Sequence, residues 1–301
     1  MTIEIRQIHP HFVGEVSGVD LRAPISSADA ADIEDAINQH GVLVFRNQDI
    51  TDEQQIEFSK HFGKLEVPDL KSNITKDEDR RLGQFMADIS NLDRTHHILD
   101  GTSRQRMFNL GNRLWHSDSS YRTTPAKLSL LSARVVPRRG GETQFADMCA
   151  AYDALDESMR TEIEGLVCEH SLMYSRGRLG FDDFSQEEKE NFKPVLQTLV
   201  RTHPATGRRS LFLSAHAGRI IGWPTAAARV LLEELTELAT QREFVYTHHW
   251  QPFDLVVWDN RRTMHRARRF DEINEVRDMR RTTVAGEAPT VSARAGQTAN
   301  A

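Results

Sequence analysis

Short apolar runs rich in Val, Leu and Phe recur along the chain at 42–45, 128–136, 211–213, 244–246 and 255–258, many of them bounded by turn residues. Such runs predict β-strands. Pro204-Ala205-Thr206-Gly207, between 199–202 and 209–212, reads as a hairpin connection. Helical spacing is clearest over 224–239, where Leu231, Leu235 and Leu238 recur at intervals of four and three behind Pro224. A second helix is predicted from Thr51, whose hydroxyl caps the first turn while Gln54 completes a capping box, and a third over 28–39. Strands outnumber helices without alternating regularly with them. The pattern therefore predicts a mainly β fold, a jelly-roll or cupin-like antiparallel barrel with flanking helices, rather than a doubly wound sheet.

Two polar stretches interrupt this pattern. Residues 66–106 are expected to form a lid-like insertion, and residues 174–194 a second. The remainder of 1–286 reads as one catalytic domain, and 287–301, small and polar, as a flexible tail. A chain of 301 residues suits one large domain.

Composition narrows the function. A net charge of −6 argues against a general nucleic-acid binder, because affinity for a phosphate backbone rests on excess Lys and Arg. No stretch approaches the length of a membrane span and the start lacks a signal-peptide pattern, so a cytoplasmic protein without membrane attachment is expected, as a homo-oligomer. Cys149 and Cys168 are too few for a disulfide framework and read as buried reduced thiols. Arginines cluster at 261, 262, 266, 268, 269, 277, 280 and 281 in this otherwise acidic chain, which points to small anionic ligands.

The candidate chemistry lies in Leu114-Trp115-His116-Ser117-Asp118 and, far downstream, His265. On an extended strand, residues i and i+2 share a face, so His116 and Asp118 are expected to converge, with His265 arriving from a neighbouring strand. Two imidazoles and one carboxylate occupy one face of a metal and leave the opposite positions open, the pattern of non-heme Fe(II) oxygenases. The same three ligands with a bound water could serve a zinc hydrolase. A non-catalytic acid-binding barrel is a further alternative. Adjacent pairs such as His96-His97 and His248-His249 point to opposite sides of a strand and cannot share an ion.

The motif Leu-Trp-His-Ser-Asp-Ser, Gly140-Gly141-Glu142-Thr143, Val-Trp-Asp-Asn-Arg before His265, and Arg277-x-x-x-Arg281 stand in this order. From about Val13 to Thr283 the chain thereby resembles the taurine dioxygenase family of Fe(II)/2-oxoglutarate-dependent dioxygenases. The segments 39–46, 88–91, 115–120, 150–155, 214–217 and 241–246 make it most similar to the 2,4-dichlorophenoxyacetate dioxygenase branch. The resemblance implies a double-stranded β-helix, Fe(II) on His116, Asp118 and His265, 2-oxoglutarate held by Arg277 and Thr143, and O2 as oxidant. It also implies that Arg281 binds the acidic group of a small carboxylate substrate, with His216 and Lys71 contributing. The expected reaction is hydroxylation of an aryloxyacetate beside its ether oxygen, giving a phenol and glyoxylate alongside succinate and CO2. A sulfonate or alkyl sulfate is the alternative substrate, since Arg281 suits either anion.

Overall fold

The computed structural model describes residues 3–67 and 74–291. Its largest sheet has seven strands in the order Glu4–Gln7, Gly14–Ser17, Val42–Phe45, Leu255–Asp259, Leu128–Val135, Asp278–Val284 and Ala87–Asp88. All neighbours are antiparallel except Gly14–Ser17 against Val42–Phe45. Opposite stands a three-stranded sheet, Val245–His248, Thr143–Asp147 and Thr263–Ala267. The hairpin expected around Pro204 pairs Val200–Thr202 with Arg209–Leu211.

Alternation along the central strands builds the barrel. Leu43, Phe45, Leu128, Leu130, Leu255 and Val257 pack with Ile33 and Ile37 of the helix Ser27–His40 and with Phe58 of the helix Asp52–Lys60. Their strand neighbours Val42, Val44, Leu131, Ala133, Val256 and Trp258 meet Phe145 of the smaller sheet instead. With both faces covered, these strands read as continuous apolar runs, which is why the sequence shows runs and not alternation. The capping box at Thr51 and Gln54 forms as the sequence indicates. Helix Ser27–His40 ends on Gly41 at φ 73°, where a side chain would also strike Arg262. Arg262 donates to the terminal carbonyls of Asn38 and Gln39, a favourable place for a cation.

The described parts of the two insertions, 74–106 and 174–194, pack together. Ile74 joins Leu172, Phe181, Phe184 and Phe192 in one aromatic core, with Met107, Phe108 and Tyr121 against it. Arg104 pairs with Asp183 at 2.9 Å and Glu188 at 2.6 Å, tying the first insertion's end to the second. Ala87–Asp88 closes the edge of the large sheet against Arg280 and Arg281. In the stretch expected to be tail, the Thr290 hydroxyl accepts from the Thr198 amide at 3.1 Å, so chain order runs past residue 287. Cys149 and Cys168 are buried free thiols, their pKa values pushed up by burial to about 11 and about 12. No helix among the described residues is long and apolar enough to cross a membrane.

Candidate active site

His116 and His265 meet across an isolated antiparallel bridge. The His116 amide donates to the His265 carbonyl at 3.0 Å and the reverse bond is 2.8 Å. Their ring centroids stand 4.2 Å apart. Asp118 is not on an extended strand, which corrects the expectation above. It opens the turn 118–120, in which Ser119 adopts φ 54°. The turn swings the carboxylate back, so His116 Nε2 lies 3.8 Å from Asp118 Oδ1 and His265 Nε2 3.8 Å from Asp118 Oδ2. Two atoms each about 2.1 Å from one ion can be at most about 4.2 Å apart. The three buried ligand atoms, all within 4.8 Å of one another, therefore need only a small contraction to share a metal.

Protonation favours ligation. The Nδ1–H of His116 donates to the Leu114 carbonyl at 2.8 Å, which leaves Nε2 with its lone pair. Burial lowers the pKa of both histidines, His265 well below its usual value, against the opposing pull of Asp118. Burial alone would raise Asp118, but the charge of Arg281, with the Ser129 hydroxyl, outweighs it and holds the carboxyl at about 2. The result is two neutral imidazoles beside one carboxylate, the state a divalent cation requires. Among the described residues His265 Nδ1 has no polar partner, and the ring is packed 4.7 Å from Trp258 and 6.1 Å from Phe145.

Asn260 and Ser129 hold Asp118 in place, and neither was singled out from the sequence. Asn260 Oδ1 accepts from the Asp118 amide and from Trp258 Nε1, both at 3.1 Å. Asn260 Nδ2 donates to Ser129 Oγ at 2.9 Å, and that hydroxyl donates to Asp118 Oδ2 at 2.7 Å. The readable signal was Ser129 itself, one of two hydroxyls, with Ser132, in the buried and mostly apolar part of its strand. Asn260→Ala is expected to weaken Fe(II) affinity by about 10- to 100-fold, as loss of a partner behind a metal ligand usually does. Anaerobic Fe(II) titration followed by equilibrium dialysis checks this; unchanged affinity would show Asp118 to be held by its turn alone.

The arginines fall into separate places. Arg281 donates to Asp118 Oδ1 and lines a cavity with His116, Asp118, His216, Arg176 and Tyr121. Arg277 lies just before strand Asp278–Val284, its amide bonded to Asn91 Oδ1 at 2.9 Å, and lines a second cavity with Arg106, Asn109, Ala267 and Phe270. Asn109, Asn112 and Ile89 border both cavities. Arg277 is buried, donates to the Ile89 carbonyl at 3.1 Å and has no partner at Nε; burial draws its pKa down to about 10 against the pull of Glu272. A buried cation so poorly satisfied calls for an anion. Arg280, half-buried, is engaged in an ion pair with Asp52 at 2.7 Å.

Thr143 begins the strand that pairs, at its own position, with Ala267, but its Oγ1 accepts from Trp250 Nε1 at 3.0 Å and it borders neither cavity. His216 is buried beside His116 and Tyr121, with ring centroids 6.2 and 5.0 Å away. Its Nδ1 is engaged with Ser175 Oγ at 2.8 Å, and burial, with Arg176 next, holds it neutral. Lys71 lies outside the described residues.

A barrel carrying two histidines and an aspartate within reach of one ion, with buried arginines in adjoining cavities, is the arrangement expected of a 2-oxoglutarate-dependent dioxygenase, and comparison with known proteins shows that class. The model of the taurine catabolism dioxygenase TauD, TfdA family matches residues 4–283, and the chain belongs to that family. Its enzymes use Fe(II), 2-oxoglutarate and O2. An alpha-ketoglutarate-dependent 2,4-dichlorophenoxyacetate dioxygenase of Cupriavidus pinatubonensis is 44% identical over 96% of this chain and 99% of its own length. An (S)-phenoxypropionate/alpha-ketoglutarate-dioxygenase of Sphingobium herbicidovorans is 36% identical over 96% and 97%. The crystal structure of AAD-2 in complex with Mn(II) and N-oxalylglycine superposes with a TM-score of 0.94 at 58% identity, covering 97% of this chain and all of that one.

Proposed function

We propose that the chain hydroxylates an aryloxyacetic acid on the carbon between ether oxygen and carboxylate. The observation that carries this is the cavity over Asp118. It combines the cation Arg281 with an apolar and aromatic wall of Ile74, Met86, Leu92, Phe108, Tyr121 and Leu172. A charged head and an aromatic ring in one molecule match that lining. The names of the relatives above support the same class of substrate.

His116, Asp118 and His265 would hold Fe(II), which when bound supplies oxygen activation coupled to decarboxylation of 2-oxoglutarate to succinate and CO2. Arg277 binds the distal carboxylate of 2-oxoglutarate, since a planar guanidinium meets a carboxylate with two bonds where an ammonium offers a point charge. Arg281 places the substrate's carboxylate so that the methylene faces the metal ligands. Because Arg281 also bonds Asp118, substrate position is tied to the metal site through one side chain. The hydroxylated product is a hemiacetal, which breaks its C–O bond to release a phenol and glyoxylate without a dedicated acid or base.

A substrate panel tests the proposal. Purified enzyme with Fe(II), ascorbate and 2-oxoglutarate should release phenol from 2,4-dichlorophenoxyacetate in step with succinate. Its kcat/KM should exceed that for taurine or hexyl sulfate by tenfold or more. A higher value for either sulfur compound, or succinate formed without phenol, would remove the aryloxyacetate reading.

A further inference from the structure

We infer that Arg176, in the insertion 174–194, is a second cation for the substrate's carboxylate, acting with Arg281 of the barrel strand Asp278–Val284. This rests on the aryloxyacetate reading above. Arg176 is 6% exposed and lines the same cavity as Arg281, His116 and His216. Its hydrogen-bond partner is the Ser175 hydroxyl at 3.3 Å, its Nε is buried without one, and Phe108 lies under its guanidinium at 4.4 Å. No carboxylate among the described residues pairs with it. Of the other arginines of the cavity, Arg81 binds Asp88 and Asp278, Arg281 binds Asp118, and Arg80 donates to the Gly83 carbonyl at 2.9 Å.

A buried cation without a counter-charge is unfavourable unless an anion joins it. The chain is shaped to keep this one in place. A Cβ at Gly111 would stand 2.0 Å from Arg176 Nη1, so the guanidinium occupies space that only a glycine leaves. His216, expected from the sequence to help bind substrate, cannot supply the charge. The single Ser175 proton goes to the Leu172 carbonyl at 2.8 Å, so Ser175 Oγ receives both the Arg176 bond and the Nδ1–H of a neutral His216. His216 therefore props the hydroxyl that holds Arg176. The ring of Phe108, stacked under Arg176, places an apolar surface beside the charge, the combination an aryl acid presents.

The test compares wild type with Arg176→Met, Arg176→Lys and Gly111→Ala, each as the Fe(II) and 2-oxoglutarate complex. Gly111→Ala keeps the charge and displaces it, and alanine suits the short 3-10 turn at 110–113. We expect KM for 2,4-dichlorophenoxyacetate to rise tenfold or more in Arg176→Met, and less in Arg176→Lys and Gly111→Ala. KM for 2-oxoglutarate and the visible absorption of its iron chelate should stay at wild-type values. The inhibition constant of 2,4-dichloroanisole, which keeps the ring and ether but lacks the carboxylate, should not move. If the acid and the neutral ether weaken together, or the acid's KM is unchanged in all three variants, Arg176 is a packing residue and the inference is overturned while the aryloxyacetate reading stands. Wild-type enzyme that neither binds nor converts the acid overturns both.

Discussion

Asp118→Asn is expected to lower turnover at least 1,000-fold, roughly 4 kcal/mol in the activation barrier, and to leave the purified protein without stoichiometric Fe(II). The substitution is nearly isosteric, so the effect is one of charge and hydrogen bonding. Asp118 accepts from Ser129 on Oδ2 and from Arg281 on Oδ1. An amide keeps one acceptor oxygen and turns a donor NH2 toward whichever of these donors remains. It also removes the anion from a set whose other two members are neutral imidazoles. Metal content by plasma emission and succinate release check the two consequences separately. Retention of one Fe(II) per chain with turnover within tenfold of wild type would dismiss Asp118 as a ligand. Fold integrity is checked by the thermal transition of the metal-free protein, which should remain single.

The second large effect is expected at Arg277. Replacing it with methionine should raise KM for 2-oxoglutarate by roughly 30- to 150-fold, the 2–3 kcal/mol that a charge-assisted hydrogen-bonded pair contributes. It should leave KM for the aryloxy acid within a few-fold of wild type, because the two arginines border different cavities. Arg277→Lys should recover little, since an ammonium cannot meet both carboxylate oxygens from one fork. The unliganded Arg277→Met protein should unfold no earlier than wild type, because the substitution removes a buried cation whose side chain bonds, among the described residues, only the Ile89 carbonyl. A fall in melting temperature with unchanged KM for 2-oxoglutarate would show Arg277 to be structural.

Much of the site was legible because its chemistry restricts residue type. Only a few side chains ligate iron, so His116, Asp118 and His265 stood out by identity and spacing, while Arg277 and Arg281 were singled out within the arginine cluster by the family resemblance. The geometry behind those identities was less legible. Strand periodicity put His116 and Asp118 on one face, yet a turn with Ser119 at φ 54° brings them together. Even spacing put Arg277 and Arg281 on one side of a strand, but the bonds from Asn91 hold Arg277 outside it and in another cavity. Arg176 gave no signal at all. An arginine in a polar insertion looks like solvated surface charge until the aromatic core around Phe181 and Phe184 shows it buried.

The amino-acid order by itself determined the strand runs, the capped helices, the barrel class and the inventory of ligands, all of which follow from local periodicity or from the chemistry of single side chains. The tertiary structure alone decided which groups share a cavity, which cations already have a counter-charge, and that Asn260 and Ser129 brace the carboxylate. Those properties depend on contacts between stretches of chain more than a hundred residues apart, such as Ser129 with Asn260 and Asp118 with Arg281. Burial, which sets the charge state of each group and the cost of leaving it unpaired, exists only once those stretches have packed.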